Sequence, residues 1–170
     1  EGPSVTRQVI PCSVLSAPKL NVRAWYRADK DLSVLGTDVT NWGDASLRNQ
    51  DLSQSNSSNY PAYMDNAFNF NPAVNFEGDE HLLFENGIIV NDLSVLAVFT
   101  ASPAGGFNTL FRGDQTDHPI ILDGSDQLGY YDNGNGNYKG SGLTVSQSIP
   151  QIVGLSMGNG SSVSGDMELD

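Results

Sequence analysis

The acidic residues of the segment SGDMELD, residues 164–170, fall on alternate positions: Asp166, Glu168 and Asp170, set against Met167 and Leu169. A strand has a two-residue side-chain period, so this spacing lines the carboxylates along one face. Two acids in one groove are what glycoside hydrolysis needs, one to protonate the leaving oxygen and one to attack or to activate water. An ordinary half-exposed strand gives the same alternation. The expectation is a strand, and no enzyme.

A second set of oxygen-bearing residues lies in GDQTDH at 113–118 and DGSD at 123–126. Asp114, Asp117, Asp123 and Asp126 offer the hard carboxylate ligands that calcium takes, which makes Ca2+ the candidate cofactor. The spacing matches no calcium loop. Across DNGNGN at 132–137, Gly134 stands where an EF-hand has its third ligand place, and Leu143 stands where its bidentate Glu would be. Turn formation accounts for the same residues.

The segment GYYDNGNGNYKG at 129–140 is the strongest candidate for a ligand surface. Tyr130, Tyr131 and Tyr138 flank Asp132, Asn133, Asn135 and Asn137. Flat amphipathic rings beside adaptable hydrogen-bonding groups suit a polyhydroxyl ligand. The competing reading is a hairpin whose glycines make the turn and whose tyrosines pack sideways.

Other motifs carry less. Arg112-Gly113-Asp114 spells the integrin tripeptide, but three residues recur readily by chance. His81 and His118 are distant in sequence and read as packing or surface positions. The Asn56 and Asn159 sequons matter only in a eukaryotic secretory pathway. Cys12, the one cysteine of the chain, cannot form an internal disulfide and reads as a small residue of an N-terminal strand.

The elements that must position these residues are β-strands. The chain has 170 residues, enough for one domain with its own core. Its net charge of −12 argues against nucleic acid and anionic membrane partners. With only 16 % charged residues, the polar surface is built from Asn, Ser, Thr, Gln and Gly. No apolar run is long enough to span a membrane as a helix.

Strand patterns recur at 5–10, 22–26, 73–77, 93–100, 109–112, 119–123, 127–131 and 151–157. Between them lie Asn-Gly or Asp-Gly steps at Asn86, Asp123, Asn133, Asn135 and Asn159, the chemistry of tight hairpin turns. The stretch from Asp44 to Tyr60, crowded with Ser, Asn and Asp, predicts loop with at most one helical turn. Short strands at this spacing argue a sandwich or barrel.

Three stretches resemble a known family: NVRAWYRADKDLSV at 21–34, VTNWGDASLRNQDLSQ at 39–54 and YPAYMDNAFNFNPAVNFEGDEHLLF at 60–84. Their W-x-D-x-S turn at Trp42–Ser46, Tyr60-Pro61-Ala62-Tyr63, and Phe76-Glu77-Gly78 resemble the concanavalin A-like (laminin-G-like) lectin/glucanase domain of large bacterial surface proteins, particularly of Bacteroidota. The likeness is specific over 21–84 and general beyond. It implies an all-β fold, a two-sheet antiparallel β-sandwich of the jelly-roll type, over 19–170, with 1–18 as a lead-in or linker.

Domains of that family continue beyond the place of MELD, so the resemblance implies that the last strands are lacking here, with a neighbouring domain or chain completing the sandwich. Glycosidases of the fold carry E-x-D-x-E or E-x-D-x-x-E, of which Glu168 and Asp170 match the first half. Trp25 and Trp42, inside the matching motifs, read as core aromatics. The resulting expectation is a non-catalytic binding or adhesion module, secreted and displayed on the cell surface, recognising carbohydrate or another surface protein. A structural spacer or subunit of an adhesin or filament is the first alternative, and a polysaccharide-cleaving glycosidase the second.

Overall fold

The structure, a computed structural model, describes residues 22–46, 48–84, 93–102, 105–112, 118–132, 134–157 and 166–169. The strand predicted at 5–10, the lead-in 1–18 and Cys12 lie outside them. The described residues form antiparallel β-sheets joined by turns and one 3-10 turn, with no α-helix among them. This agrees with the all-β reading. The chain divides into two compact units, Glu1–Ile88 and Ile89–Asp170.

The first unit holds a six-stranded sheet. Its strands are β1 (Leu32–Leu35), β2 (Asp38–Trp42), β3 (Leu52–Ser53), β4 (Ala62–Phe68), β5 (Asn71–Asn75) and β6 (Leu83–Phe84). Their order is β5-β4-β2-β3-β6, with β1 paired to β2. Gly36, at φ +69°, supplies the left-handed residue of the two-residue turn between Leu35 and Asp38. The 44–60 stretch folds as predicted for most of its length, as loop with a 3-10 turn at Ser57–Asn59, although it also contributes the short strand β3.

The 22–26 segment is extended but joins no sheet, contrary to the strand pattern. Its backbone groups are taken by the WGDAS loop instead. The Trp25 N–H donates to the Asp44 carboxylate at 2.9 Å, and the Trp25 carbonyl accepts from Ala45 N–H at 2.8 Å. Asp44 also receives Ser46 N–H, Ser46 Oγ–H and Gln50 N–H, so one carboxylate gathers the loop. Trp42 donates its indole N–H to the Arg27 carbonyl at 2.8 Å and packs against Tyr26. The tryptophans and the W-x-D-x-S turn thus serve the fold.

The second unit pairs β8 (Asn108–Phe111), β9 (His118–Leu122), β10 (Gln127–Asp132) and β11 (Asn137–Thr144) in the order β11-β10-β9-β8. A three-stranded sheet, β13-β12-β7, is made from β7 (Leu93–Phe99), β12 (Gln151–Met157) and β13 (Asp166–Leu169). One core joins them: Ile120, Leu122 and Leu128 from the first sheet meet Val153 and Leu155 from the second, with Val95, Ala97 and Phe99 packed alongside. Each fully buried aliphatic side chain contributes about 1.5–3 kcal/mol. Alternation explains the choice of face, since the partners of these residues along each strand point the other way.

The segment that raised the question of catalysis is the strand β13. Asp166 pairs with Ser156, Met167 with Leu155, Glu168 with Gly154 and Leu169 with Val153. Asp170 lies outside the described residues.

Candidate functional site

The four-stranded sheet turns Leu128 and Tyr130 of β10 inward, both nearly inaccessible, and its odd-numbered residues outward. Tyr130, a candidate ligand contact in the sequence, is therefore a buried ring. The outer face gathers its neighbours. Tyr131 stands opposite Tyr138 on β11 and opposite His118 on β9. Phe107, just before β8, contacts Tyr131 at 6.1 Å between ring centroids and Tyr138 at 5.5 Å. His118 meets the Tyr131 ring at 5.6 Å, nearly edge-on. The four rings make one continuous strip, Tyr138–Phe107–Tyr131–His118.

Small residues hold the strip flat. The Tyr138 ring lies directly over Gly129, where an added Cβ would meet ring atoms at 2.3–2.5 Å. Gly140 leaves room for the Gln127 side chain in the same way. The Tyr138 hydroxyl donates to the Gln127 carbonyl at 2.6 Å, which fixes the ring along the sheet. Burial, and secondarily the charge of Asp123, push the Tyr138 hydroxyl up to about 12, so it is a neutral donor at physiological pH.

Phe107 follows two glycines in left-handed conformation, Gly105 at φ +63° and Gly106 at φ +71°. The Asn108 amide reaches both of their carbonyls, at 3.5 and 3.4 Å. This turn delivers Phe107 onto the outer face with 59 % of its surface exposed. Thr109 and His118 share a 2.7 Å hydrogen bond between Oγ1 and Nδ1 at the far end of the strip.

The hairpin turn at 132–137 closes the other end. Asp132 accepts from the Asn135 N–H at 3.1 Å and from the Asn135 amide at 2.7 Å. The Asn135 side chain, its backbone N–H and the nearby Lys139 charge together hold the Asp132 carboxyl below the usual carboxylate range, against a small opposing effect of desolvation. Asn137 is exposed and pairs with Asp132 in register. Asn133 lies outside the described residues. Asp132 and Asn135 are thus engaged with one another, while Tyr131 and Tyr138 belong to the strip.

The carboxylates proposed for calcium are only partly described, since Asp114 and Asp117 lie outside. Asp123 accepts the backbone N–H groups of Ser125 and Gln127 at 2.8 and 2.9 Å, and Asp126 accepts the Gln147 amide. Asp126 also takes the left-handed position of its turn, at φ +59°, rather than Gly124. These are turn-forming roles. Among the described residues, no group of three or more His, Cys, Asp or Glu side chains is gathered around a common point.

Phe107, His118 and Thr109 belong to the face, although sequence reasoning did not include them. They come from two other strands and a preceding loop, and only the β8–β9–β10 register brings them beside Tyr131. Comparison of the chain with protein-family models, with curated proteins and with solved structures finds no match.

Proposed function

We propose that the chain is a non-catalytic recognition module of a secreted bacterial surface protein, with a concanavalin A-like sandwich as its architecture and carbohydrate as its ligand. The observation that carries this reading is the exposed aromatic strip of Phe107, Tyr131, Tyr138 and His118. A pyranose ring has an apolar face of C–H groups and a rim of hydroxyls. Flat rings cover the former, and amide, hydroxyl and imidazole groups at the strip's edges bond the latter. The two antiparallel sheets packed through one core in the second unit support the sandwich part of the reading.

Charge narrows the ligand. A chain of net charge −12 repels polyanions, so neutral glycans suit it better than uronic-acid polymers. The strip also lies on an open sheet face, where bulk water has free access; such a place favours binding over hydrolytic chemistry.

Affinity electrophoresis through gels containing soluble neutral polysaccharides tests this. Wild-type chain is expected to be retarded in at least one, and Phe107→Ala combined with Tyr131→Ala to migrate freely while melting within a few degrees of wild type. Equal retardation of both proteins removes the strip as the binding surface.

A further inference from the structure

The β4–β5 hairpin carries a residue that its own turn disfavours. Phe68 pairs with Asn71, so the loop is Asn69-Phe70, and both residues are left-handed, at φ +45° and +65°. Two-residue hairpins with both central residues left-handed prefer Asn-Gly, because a side chain with Cβ is strained there. Asn69 fits; Phe70 does not. The Phe70 ring is also 92 % exposed, so nothing in the chain offsets either the strain or the exposed apolar surface. A bulky residue held in a strained conformation at an exposed tip is the kind of outlier that points to function.

The neighbourhood of Phe70 describes its partner. Residues 62–75 contain neither Lys nor Arg, and Asp65 is their one charge. An anionic bilayer is therefore a poor match, as is any partner recognised through ion pairs. Asn66, Asn69 and Asn71 form a collar of exposed amides around the ring. The fitting surface is an apolar depression with hydrogen-bonding groups at its edge.

The second unit has such a surface on the outer side of β7 and β12. Leu96 and Val98 are 76 % and 70 % exposed, and Ile152 is 44 % exposed. Leu96 pairs with Gly154, and Val98 with Ile152. A Cβ built on Gly154 meets nothing within 4 Å, so the glycine leaves an opening between apolar walls. At its edge Ser94 and Ser156 hydroxyls bond each other at 3.1 Å.

We infer that Phe70 of one copy of the chain inserts into the Gly154 opening of a second copy, walled by Leu96, Val98 and Ile152. Each copy then carries one knob and one socket on different surfaces. Such a contact is heterologous, and repeating it produces rows of subunits, not closed dimers. One ring in one shallow opening gives a small interface, with a dissociation constant between about 10 µM and about 1 mM.

Sedimentation velocity of the full chain over this concentration range is the test, with Phe70→Gly lacking the knob and Gly154→Gln filling the socket. Wild type is expected to show a concentration-dependent ladder of species and each variant alone to remain monomeric. A mixture of the two variants is expected to stop at the dimer, because Gly154→Gln still has a knob and Phe70→Gly still has a socket. Phe70→Gly should also melt about 2–4 °C higher than wild type as the turn strain is released. Wild type that stays monomeric throughout, or variants that associate as wild type does, overturns the inference. Mixed variants that stay monomeric overturn the pairing of this knob with this socket.

Discussion

Gly129→Ala is a one-carbon change that tests how the aromatic strip is held. The new Cβ would sit 2.3–2.5 Å from the Cε2, Cζ and hydroxyl atoms of Tyr138, so the ring must leave its place over β10. Losing the hydroxyl bond to the Gln127 carbonyl costs about 1 kcal/mol. Separating Tyr138 from Phe107 costs about 1 kcal/mol more, and re-exposing part of the ring costs about another 1 kcal/mol. Alanine recovers about 0.5 kcal/mol by restricting the unfolded chain. The net loss is about 2.5 kcal/mol, a fall in Tm of roughly 5–15 °C. Gly154→Ala is the internal control, since its Cβ meets nothing, and its Tm should stay level or rise slightly. Thermal and urea unfolding of both variants, together with Tyr138→Ala and the Gly129→Ala/Tyr138→Ala double variant, complete a cycle. With the ring gone, Gly129→Ala should cost almost nothing. Equal stability of Gly129→Ala and Gly154→Ala, or an undiminished cost in the double variant, refutes the reasoning.

Asp44→Ala strands the N–H groups of Trp25, Ser46 and Gln50 and should destabilise the first unit by about 2 kcal/mol, read by urea unfolding. Burial alone would raise the Asp44 carboxyl, but its hydrogen bonds from Ser46, Trp25 and Gln50 outweigh this and leave it below 3.8. Its contribution is therefore present above the unfolded value and is lost as pH falls through the folded one, so Asp44→Asn should flatten the acid limb of the stability curve below about pH 4. For Tyr138, raised to about 12, the sign reverses. Its contribution holds below about pH 10 and declines toward pH 12, and ultraviolet titration should show it ionising after the other exposed tyrosines. Because Asp123 and Asp126 already serve their turn, calcium at about 1 mM should leave the Tm within about 1 °C. A rise of several degrees would assign those carboxylates to a cation.

The legible part of the fold was the part with strong local signals. The apolar runs at 93–100, 119–123 and 151–157 became β7, β9 and β12 because both their burial and their alternation were evident. Polar strands were less visible. β4 contains Asp65 and Asn66, and β11 reads NYKGSGLT, so neither shows the apolar pattern on which strand recognition rests. The 22–26 segment misled in the opposite direction, since its aromatic composition suits a strand while its backbone partners lie in the 44–46 loop. For the site, GYYDNGNGNYKG marked the right hairpin, but composition could not say which tyrosine turns inward. Parity with the core residue Leu128 settles that, burying Tyr130 and leaving Tyr131 on the outer face. Phe107 and His118 entered only through register, which no local pattern encodes.

The most direct test of glycan recognition is a chemical-shift map of the isotope-labelled chain titrated with the neutral polysaccharide fragment that retards it in gels. The account predicts that the perturbed amides and aromatic signals cluster at Phe107, Thr109, His118, Tyr131 and Tyr138, with the Trp25 and Trp42 signals unmoved. Perturbations centred on the tryptophans or on the 123–126 turn, with the strip silent, would contradict it.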